Sequence, residues 1–325
     1  MKKKLSGTQA FLVVLAGLFF VRFLLPFLSV PVSLTGVLSF LLAVAFVAIP
    51  VLALFSASSD QWKPRTSAMF LVFGVLLHVG GALAIRSGLK EGVAGSLFDA
   101  LAQTGLLAWT AGLGVLVGSL IKDKNMLPPV AVFLAGFDMF LIFTPTSLPR
   151  KIMANAPGVF DAVAAKVPMV VQKSSGMAGI EPGPSIGPAD FIFLAMFFVC
   201  LFRFQMRAAV TLRWILPVLV AYLLVVLYAG HLSIGPISLG MLPALLPIGL
   251  TIFLVNLKEF KLNKEEKIGF WLAAGIAVAL AGSGIYQASK AAKRATIAAP
   301  YSSEPGPGSP ESGATPLPAP SGPPQ

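Results

Sequence analysis

The sequence predicts an all-α membrane protein, a polytopic bundle of about nine transmembrane helices. Of its 325 residues, 56% are hydrophobic and only 11% are charged, whereas an ordinary soluble domain carries roughly 25% charged residues. The mean hydropathy of +0.86 leaves room for many apolar runs of about 20 residues, the length that crosses a bilayer. Because lipid offers the backbone no hydrogen-bond partner, these runs should be helical. The composition therefore excludes a soluble globular protein.

About nine apolar segments follow one another along the chain. They lie at 8–30, 33–56, 66–86, 97–121, 127–145, 190–206, 209–231, 239–257 and 267–287. The first follows Met-Lys-Lys-Lys like a signal peptide, but its apolar run is too long, Arg22 interrupts it and no small-residue cleavage site follows. We therefore expect a retained first helix. In the fourth segment, Gly114 and Gly118 provide a face for close helix packing.

Two stretches lack the composition of a transmembrane span. Residues 146–188 form the one long connection, which holds a short amphipathic piece after Pro157 (Val159, Phe160, Val163, Val167) and then a Gly/Ser/Pro-rich run. Residues 289–325 become basic and then rich in Pro, Gly and Ser, with almost nothing apolar to bury. The sequence therefore predicts a helical domain at 1–288 and a disordered tail at 289–325.

The basic residues behind the net charge of +11 are distributed in a way that indicates the orientation of the helices in the membrane. Basic residues form small groups between apolar runs, and with the amino terminus inside, more of them lie at inner than at outer ends. The inner groups are Lys2 to Lys4; Lys63 and Arg65; Lys122 and Lys124; Arg203, Arg207 and Arg213; and Lys258, Lys261, Lys264 and Lys267. We expect a lipid bilayer as partner, no nucleic acid, and a cytoplasmic amino terminus. The Lys-rich start favours a prokaryotic plasma membrane.

No metal, cofactor or disulfide is expected. The single cysteine, Cys200, lies inside an apolar run, so neither a disulfide framework nor a Cys-based metal site is predicted. The two histidines, His78 and His231, are far apart in the sequence, and we interpret His78 as a packed or hydrogen-bonding residue. Arg22 should snorkel to the interface or pair inside the bundle.

Two of the 13 acidic residues lie in apolar segments, where a charged side chain is energetically unfavourable. The others lie in loops, at span ends or in the tail, but Asp138 lies in the middle of the fifth apolar segment and Asp190 opens the sixth. A carboxylate in the hydrocarbon costs about 2.5 kcal/mol or more. Asp138 precedes Pro145 by about 10 Å of helix, and Asp190 directly follows the long connection. Consecutive antiparallel helices are usually neighbours, so the two acids can meet at one depth.

A pair of carboxyls in a low-dielectric site shares one proton, because both cannot ionise cheaply. The ionised acid can deprotonate a water that attacks a peptide carbonyl, while the protonated acid donates to the developing oxyanion. The same pair can instead carry protons for a transporter. An isolated acid can also simply pair with a base or stay near water, so the pair alone leaves the function open.

Three short motifs accompany the acids. Gly187-Pro188-Ala189-Asp190 is similar to the Gly-x-Gly-Asp motif of the intramembrane aspartyl proteases, the presenilin and signal peptide peptidase family. Phe137-Asp138 resembles that family's Tyr-Asp, and Pro243-Ala244-Leu245 matches its Pro-Ala-Leu. The resemblance spans about 127–257 and is closest to signal peptide peptidase, whose second catalytic helix likewise ends in an apolar-Arg-Phe turn, here Phe202-Arg203-Phe204.

The resemblance implies a presenilin-like core in which Asp138 and Asp190 are the catalytic pair and transmembrane helices or signal-peptide remnants are the substrates. Pro188 suits the first turn of a helix and would place Asp190 near its positive end. Pro243 and Pro247 should interrupt the eighth segment. Here Phe137 replaces the family's Tyr and Ala189 replaces its second Gly.

Three alternatives stay open at this point. A proteolytically inactive homologue would bind transmembrane segments without cutting them, and Ala189 favours it. A proton-coupled transporter needs only the paired acids. A prepilin peptidase shares the Gly-x-Gly-Asp chemistry, but the Pro-Ala-Leu element argues against it. The sequence does not indicate an oligomeric state.

Overall fold

A computed structural model describes residues 5–172, 177–230, 232–234, 237–238 and 243–298. Helices make up most of this part of the chain. They are α1 Gly7–Leu24, α2 Thr35–Ser59, α3 Pro64–Arg86, α4 Gly92–Leu120, α5 Leu127–Phe143, α6 Leu148–Asn155, α7 Pro157–Val163, α8 Pro188–Arg203, α9 Ala208–Ala229, α10 Leu245–Asn256 and α11 Lys264–Ala298. The strands are β1 Val30–Pro31, β2 Ala165–Gln172, β3 Met177–Ile186, β4 Ser233–Ile234 and β5 Ile237–Ser238.

Within the described residues, seven helical segments are long and apolar enough to cross a bilayer. They are Gly7–Phe27, Val32–Ser59, Pro64–Arg86, Gly92–Leu120, Lys124–Asn155, Ala208–Ala229 and Lys264–Arg294. The chain is therefore a multi-pass integral membrane protein. The expected count of nine is not confirmed in this part of the chain, because α8 and α10 have only 16 and 12 residues as described and a spanning helix needs roughly 17 or more.

The long connection at 146–188 differs from its prediction as a loop. It contains the short helices α6 and α7 and then the antiparallel hairpin β2–β3. The hairpin joins β1 in a sheet of order β1-β3-β2. Proline is tolerated in β3 because β1 pairs with it only at Met177 and Ala178, which leaves the rest of that edge without a strand partner. We call the end of the bundle that carries this sheet the loop end.

The predicted domain boundary at 288 falls inside α11, which continues to Ala298. The basic start of the expected tail is therefore helical, since Ala, Lys and Arg are good helix formers. The remainder of the tail, residues 299–325, lies outside the described residues.

Glycine faces determine how closely the helices pack, as the Gly114 and Gly118 pattern predicts. A Cβ added at Gly114 would lie 2.5 Å from the carbonyl oxygen of Ile192, and one added at Gly118 would lie 3.1 Å from that of Met196. The backbones of α4 and α8 therefore touch along this face. On the other side of the bundle, Gly136 of α5 faces Ala277 of α11 in the same way.

Buried polar residues connect the helices at the loop end. Arg22 of α1 lies 3.9 Å from the carboxylate of Asp99 and donates a 2.7 Å hydrogen bond to the carbonyl of Lys166. Its guanidinium also lies 4.7 Å from the ring centre of Phe46. Arg22 is thus paired inside the bundle, one of the two predicted alternatives. His78 is buried, with Nδ1 2.8 Å from the carbonyl of Ala102, as expected of a packed histidine.

Candidate active site

The two intramembrane acids lie within electrostatic range of each other. Asp138 is in the second half of α5, and Asp190 is in the first turn of α8. Both residues are half-buried, and the charge of Asp138 acts on the carboxyl of Asp190. Two helices that are consecutive spans in the sequence pattern thus bring their acids to one site.

The local sequence holds Asp190 at the start of α8. Gly187 is the N-cap residue and Pro188 is the first helical residue, where its fixed φ suits the helix and its missing N–H costs nothing. The backbone N–H of Asp190 donates to the carbonyl of Gly187 at 3.2 Å. A Cβ built on Gly187 would lie 3.5 Å from Oδ2 of Asp190, so the carboxylate folds back over this glycine, near the positive end of the helix dipole.

Ala189 fits the motif position without backbone strain. It lies within α8 and is exposed. In the described part of the chain, the only residues other than glycine with positive φ are Gln61 and Gln205. A glycine is therefore not required at position 189, because the backbone there is right-handed helix that any L-residue adopts.

The Pro-Ala-Leu segment reaches the first acid through its backbone. Helix α10 begins at Leu245, directly after Ala244, and Pro243 and Leu245 are buried. The N–H of Leu245 donates a 3.0 Å hydrogen bond to Oδ2 of Asp138. The first N–H groups of a helix have no partner within the helix, so this one is free to bind a carboxylate. Pro243 lies just before the start of α10, in line with the predicted interruption, whereas Pro247 lies in the first turn of α10 and does not interrupt the helix. Leu242 lies outside the described residues.

A tyrosine that sequence reasoning did not select lies at the same site. The hydroxyl of Tyr222, in the second half of α9, is buried and has no hydrogen-bond partner among the residues that the structure describes. It lies within electrostatic range of both Asp138 and Asp190. The sequence feature that could have identified Tyr222 is its polar hydroxyl within an otherwise apolar span. Phe137, by contrast, is 38% exposed and stacks on Phe133, so its ring faces away from the bundle.

The site therefore combines two carboxyls, a backbone N–H and a phenol hydroxyl at the loop end of the helices. Among the residues that the structure describes, no group of three or more His, Cys, Asp or Glu side chains is placed to hold a metal ion. No family model, curated protein or solved structure matches this chain. The chemistry of the site must accordingly be argued from its own residues.

Proposed function

We propose that the chain is an intramembrane aspartyl protease, which hydrolyses peptide bonds within transmembrane helices or signal-peptide remnants. One observation carries the proposal: Asp138 and Asp190, from α5 and α8, interact with each other while the backbone of Leu245 binds Asp138. Transport needs the two acids alone, whereas the Pro-Ala-Leu contact links them to a third element of the resemblance. No metal or cofactor is part of the proposal.

The reaction follows from one proton shared between two carboxyls. The ionised aspartate takes a proton from a water molecule as that water attacks the peptide carbonyl, and the protonated aspartate donates its proton to the developing oxyanion. As the tetrahedral intermediate collapses, one of its two hydroxyls returns a proton to the second aspartate and becomes the carbonyl of the new carboxyl group. The C–N bond breaks in the same step, and the amine leaves with the proton that the first aspartate took. Both acids end as they began, with one proton between them.

A helical substrate must unwind before its peptide bond reaches the acids, because its carbonyls are otherwise held in helical hydrogen bonds. The chain just before α10 is not helical where the structure describes it: β4 and β5 form a short antiparallel pair there. The outer backbone edges of a two-stranded pair can bind extended peptides by strand addition. This supports the region between α9 and α10 as the place where an unwound substrate docks.

The proposed orientation follows the charge bias, with the amino terminus in the cytoplasm of a prokaryotic cell. The loop end, and with it Asp190, would then lie toward the outer face, the orientation that signal peptide peptidase has. The expected partners are single transmembrane segments in the same bilayer.

The full chain reconstituted in liposomes with a fluorogenic transmembrane peptide tests the proposal. Asp138→Ala and Asp190→Ala should each lower the cleavage rate by about 100-fold or more, since acid–base groups contribute 10²–10⁴-fold. Asp123→Ala is the matched control, because this exposed acid lies outside the site. Cleavage by either variant at the wild-type rate overturns the assignment of the pair.

Two further outcomes would select an alternative. An inactive homologue would bind the peptide without cutting it and would fail to bind a hydroxyl-bearing transition-state mimic. A transporter would acidify the liposome lumen in a manner that depends on Asp138 and Asp190 and would release no peptide product.

A further inference from the structure

A cavity lies at the loop end, apart from the two aspartates. Its volume is about 650 Å³, and it is lined by α3, α4, α7, β2 and the residues next to α7, but by no residue of α5, α8 or α10. We call it the α3–α4 cavity. A volume of this size holds a small amphiphile.

The described lining of the cavity carries more positive than negative charge. Arg86, at the end of α3, and Lys166, at the start of β2, both line it, together with Asp99 of α4. The charge of Asp99 is already balanced by Arg22, which lies outside the lining. Among the side chains that the structure describes, neither Arg86 nor Lys166 forms an ion pair. An anionic group is therefore the ligand that this end of the cavity would attract.

Most of the remaining cavity wall is apolar, with His78, Gln103 and Asn155 as its other polar residues, and it runs into the membrane. Val79, Ala82 and Leu83 line it from α3, and Val163 lines it from α7. Val79 is 46% exposed and Leu83 is 60% exposed, on a helix long enough to cross a bilayer. From Arg86 to Val79 the helix rises about 10 Å. The cavity thus combines a basic end near the interface with an apolar wall open to lipid.

We propose that the α3–α4 cavity binds one glycerophospholipid from the leaflet at the loop end. Its phosphate lies between Arg86 and Lys166, and an acyl chain follows the wall formed by Val79, Leu83 and Val163. A free phosphate would occupy only the basic end and leave the apolar wall uncovered. This site is independent of the proposed protease activity, since none of its residues belongs to the aspartate site.

Native mass spectrometry of the full-length protein, released from detergent after addition of phosphatidylglycerol, measures the proposed binding. The wild type should retain one lipid. Arg86→Gln with Lys166→Gln should weaken retention by about tenfold or more, because charge-assisted hydrogen bonds to the phosphate are lost. The matched control is Lys90→Gln with Lys151→Gln, which removes the same charge from exposed positions outside the lining.

A steric variant tests the apolar half of the cavity. Ala82→Phe keeps both basic residues and fills the wall, so it should abolish retention of the lipid while the protein keeps its unfolding temperature. Equal retention by the charge variant or by Ala82→Phe overturns the proposal. So does equal loss in the Lys90 and Lys151 control, equal retention of uncharged diacylglycerol, or binding of inorganic phosphate without any retained lipid.

Discussion

The backbone N–H of Leu245 binds Oδ2 of Asp138 at a distance of 3.0 Å, joining residues that are 107 positions apart. A buried carboxylate is stabilised by such a charge-assisted hydrogen bond. The bond fixes the start of α10 against α5 and thereby holds the Pro-Ala-Leu segment beside the paired acids.

Removing this donor should impair catalysis more than removing the Leu245 side chain. Leu245→Pro deletes the N–H at the first position of α10, whereas Leu245→Ala keeps it. We expect the proline variant to cleave the test peptide about tenfold or more slowly than the alanine variant, since a hydrogen bond to a charged group contributes about 1.5–3 kcal/mol. Initial rates in liposomes give the comparison, and equal rates for the two variants would show that the bond has no catalytic role.

Tyr222→Phe should change activity without lowering stability. In the described part of the chain, the phenol hydroxyl is buried beside Asp138 and Asp190 without a hydrogen-bond partner, so it is placed to donate to a carboxylate or to the substrate. Its removal should slow cleavage and move the pH profile of the rate, while the unfolding temperature stays level or rises because an unsatisfied polar group is lost. Tyr228→Phe, at an exposed position on the same helix, is the control. An unchanged rate and pH profile in Tyr222→Phe would contradict this role.

Ala189→Gly should not increase activity. Because Ala189 already occupies the helical turn without positive φ, glycine relieves no strain and costs roughly 0.5–1 kcal/mol of helix stability. Cleavage rates and unfolding temperatures of the two proteins measure this. A large gain in cleavage rate would instead support the hypothesis of an inactive homologue, in which Ala189 impairs catalysis.

Gly114→Leu should separate α4 from α8 and displace Asp190. A side chain at this position would collide with the carbonyl of Ile192 and with Ala195, and overpacking of a tight contact costs about 1–3 kcal/mol. We expect a lower unfolding temperature together with loss of cleavage. Gly80→Leu is the control, because nothing lies within 4 Å of a Cβ at that position. Equal stability in both variants would contradict the proposed close packing.

Acid should loosen the contact between α1 and the end of α2. Burial tends to raise the pKa of Asp60, but the hydrogen bonds that it accepts from Thr8 and Gly7 outweigh this and hold the pKa below its usual value. A carboxyl with a lowered pKa in the folded state stabilises the protein above its unfolded pKa, about 3.9, and loses that contribution as the pH falls through the folded pKa. Unfolding temperatures below about pH 4 should therefore fall more in the wild type than in Asp60→Asn. Parallel pH curves would exclude this contribution.

The length and composition of the apolar runs were enough to predict the long helices, because the backbone groups of each run must form hydrogen bonds with one another inside lipid. The glycine face of α4 and the proline at the start of α8 were predictable as well, because each depends only on residues close together in the sequence. The hairpin β2–β3 was not, since its Gly, Ser and Pro content is typical of a loop, and only its pairing with β1 and its packing on the bundle make it a sheet. The short lengths of α8 and α10 were likewise not evident from the sequence, because apolar residues outside these two helices, such as Met206 after α8 and Leu257 after α10, extend the hydrophobic runs.

The sequence by itself determined that this is a membrane protein. It also selected Asp138 and Asp190 as candidate functional residues, because burying a charge in lipid is costly wherever it occurs. Only the tertiary structure decided what surrounds them. Helices that are distant in the sequence supply the N–H of Leu245, the hydroxyl of Tyr222 and the contact at Gly114. The positions of these groups depend on how the helices pack. Packing is a property of several elements together, which no single segment of sequence encodes.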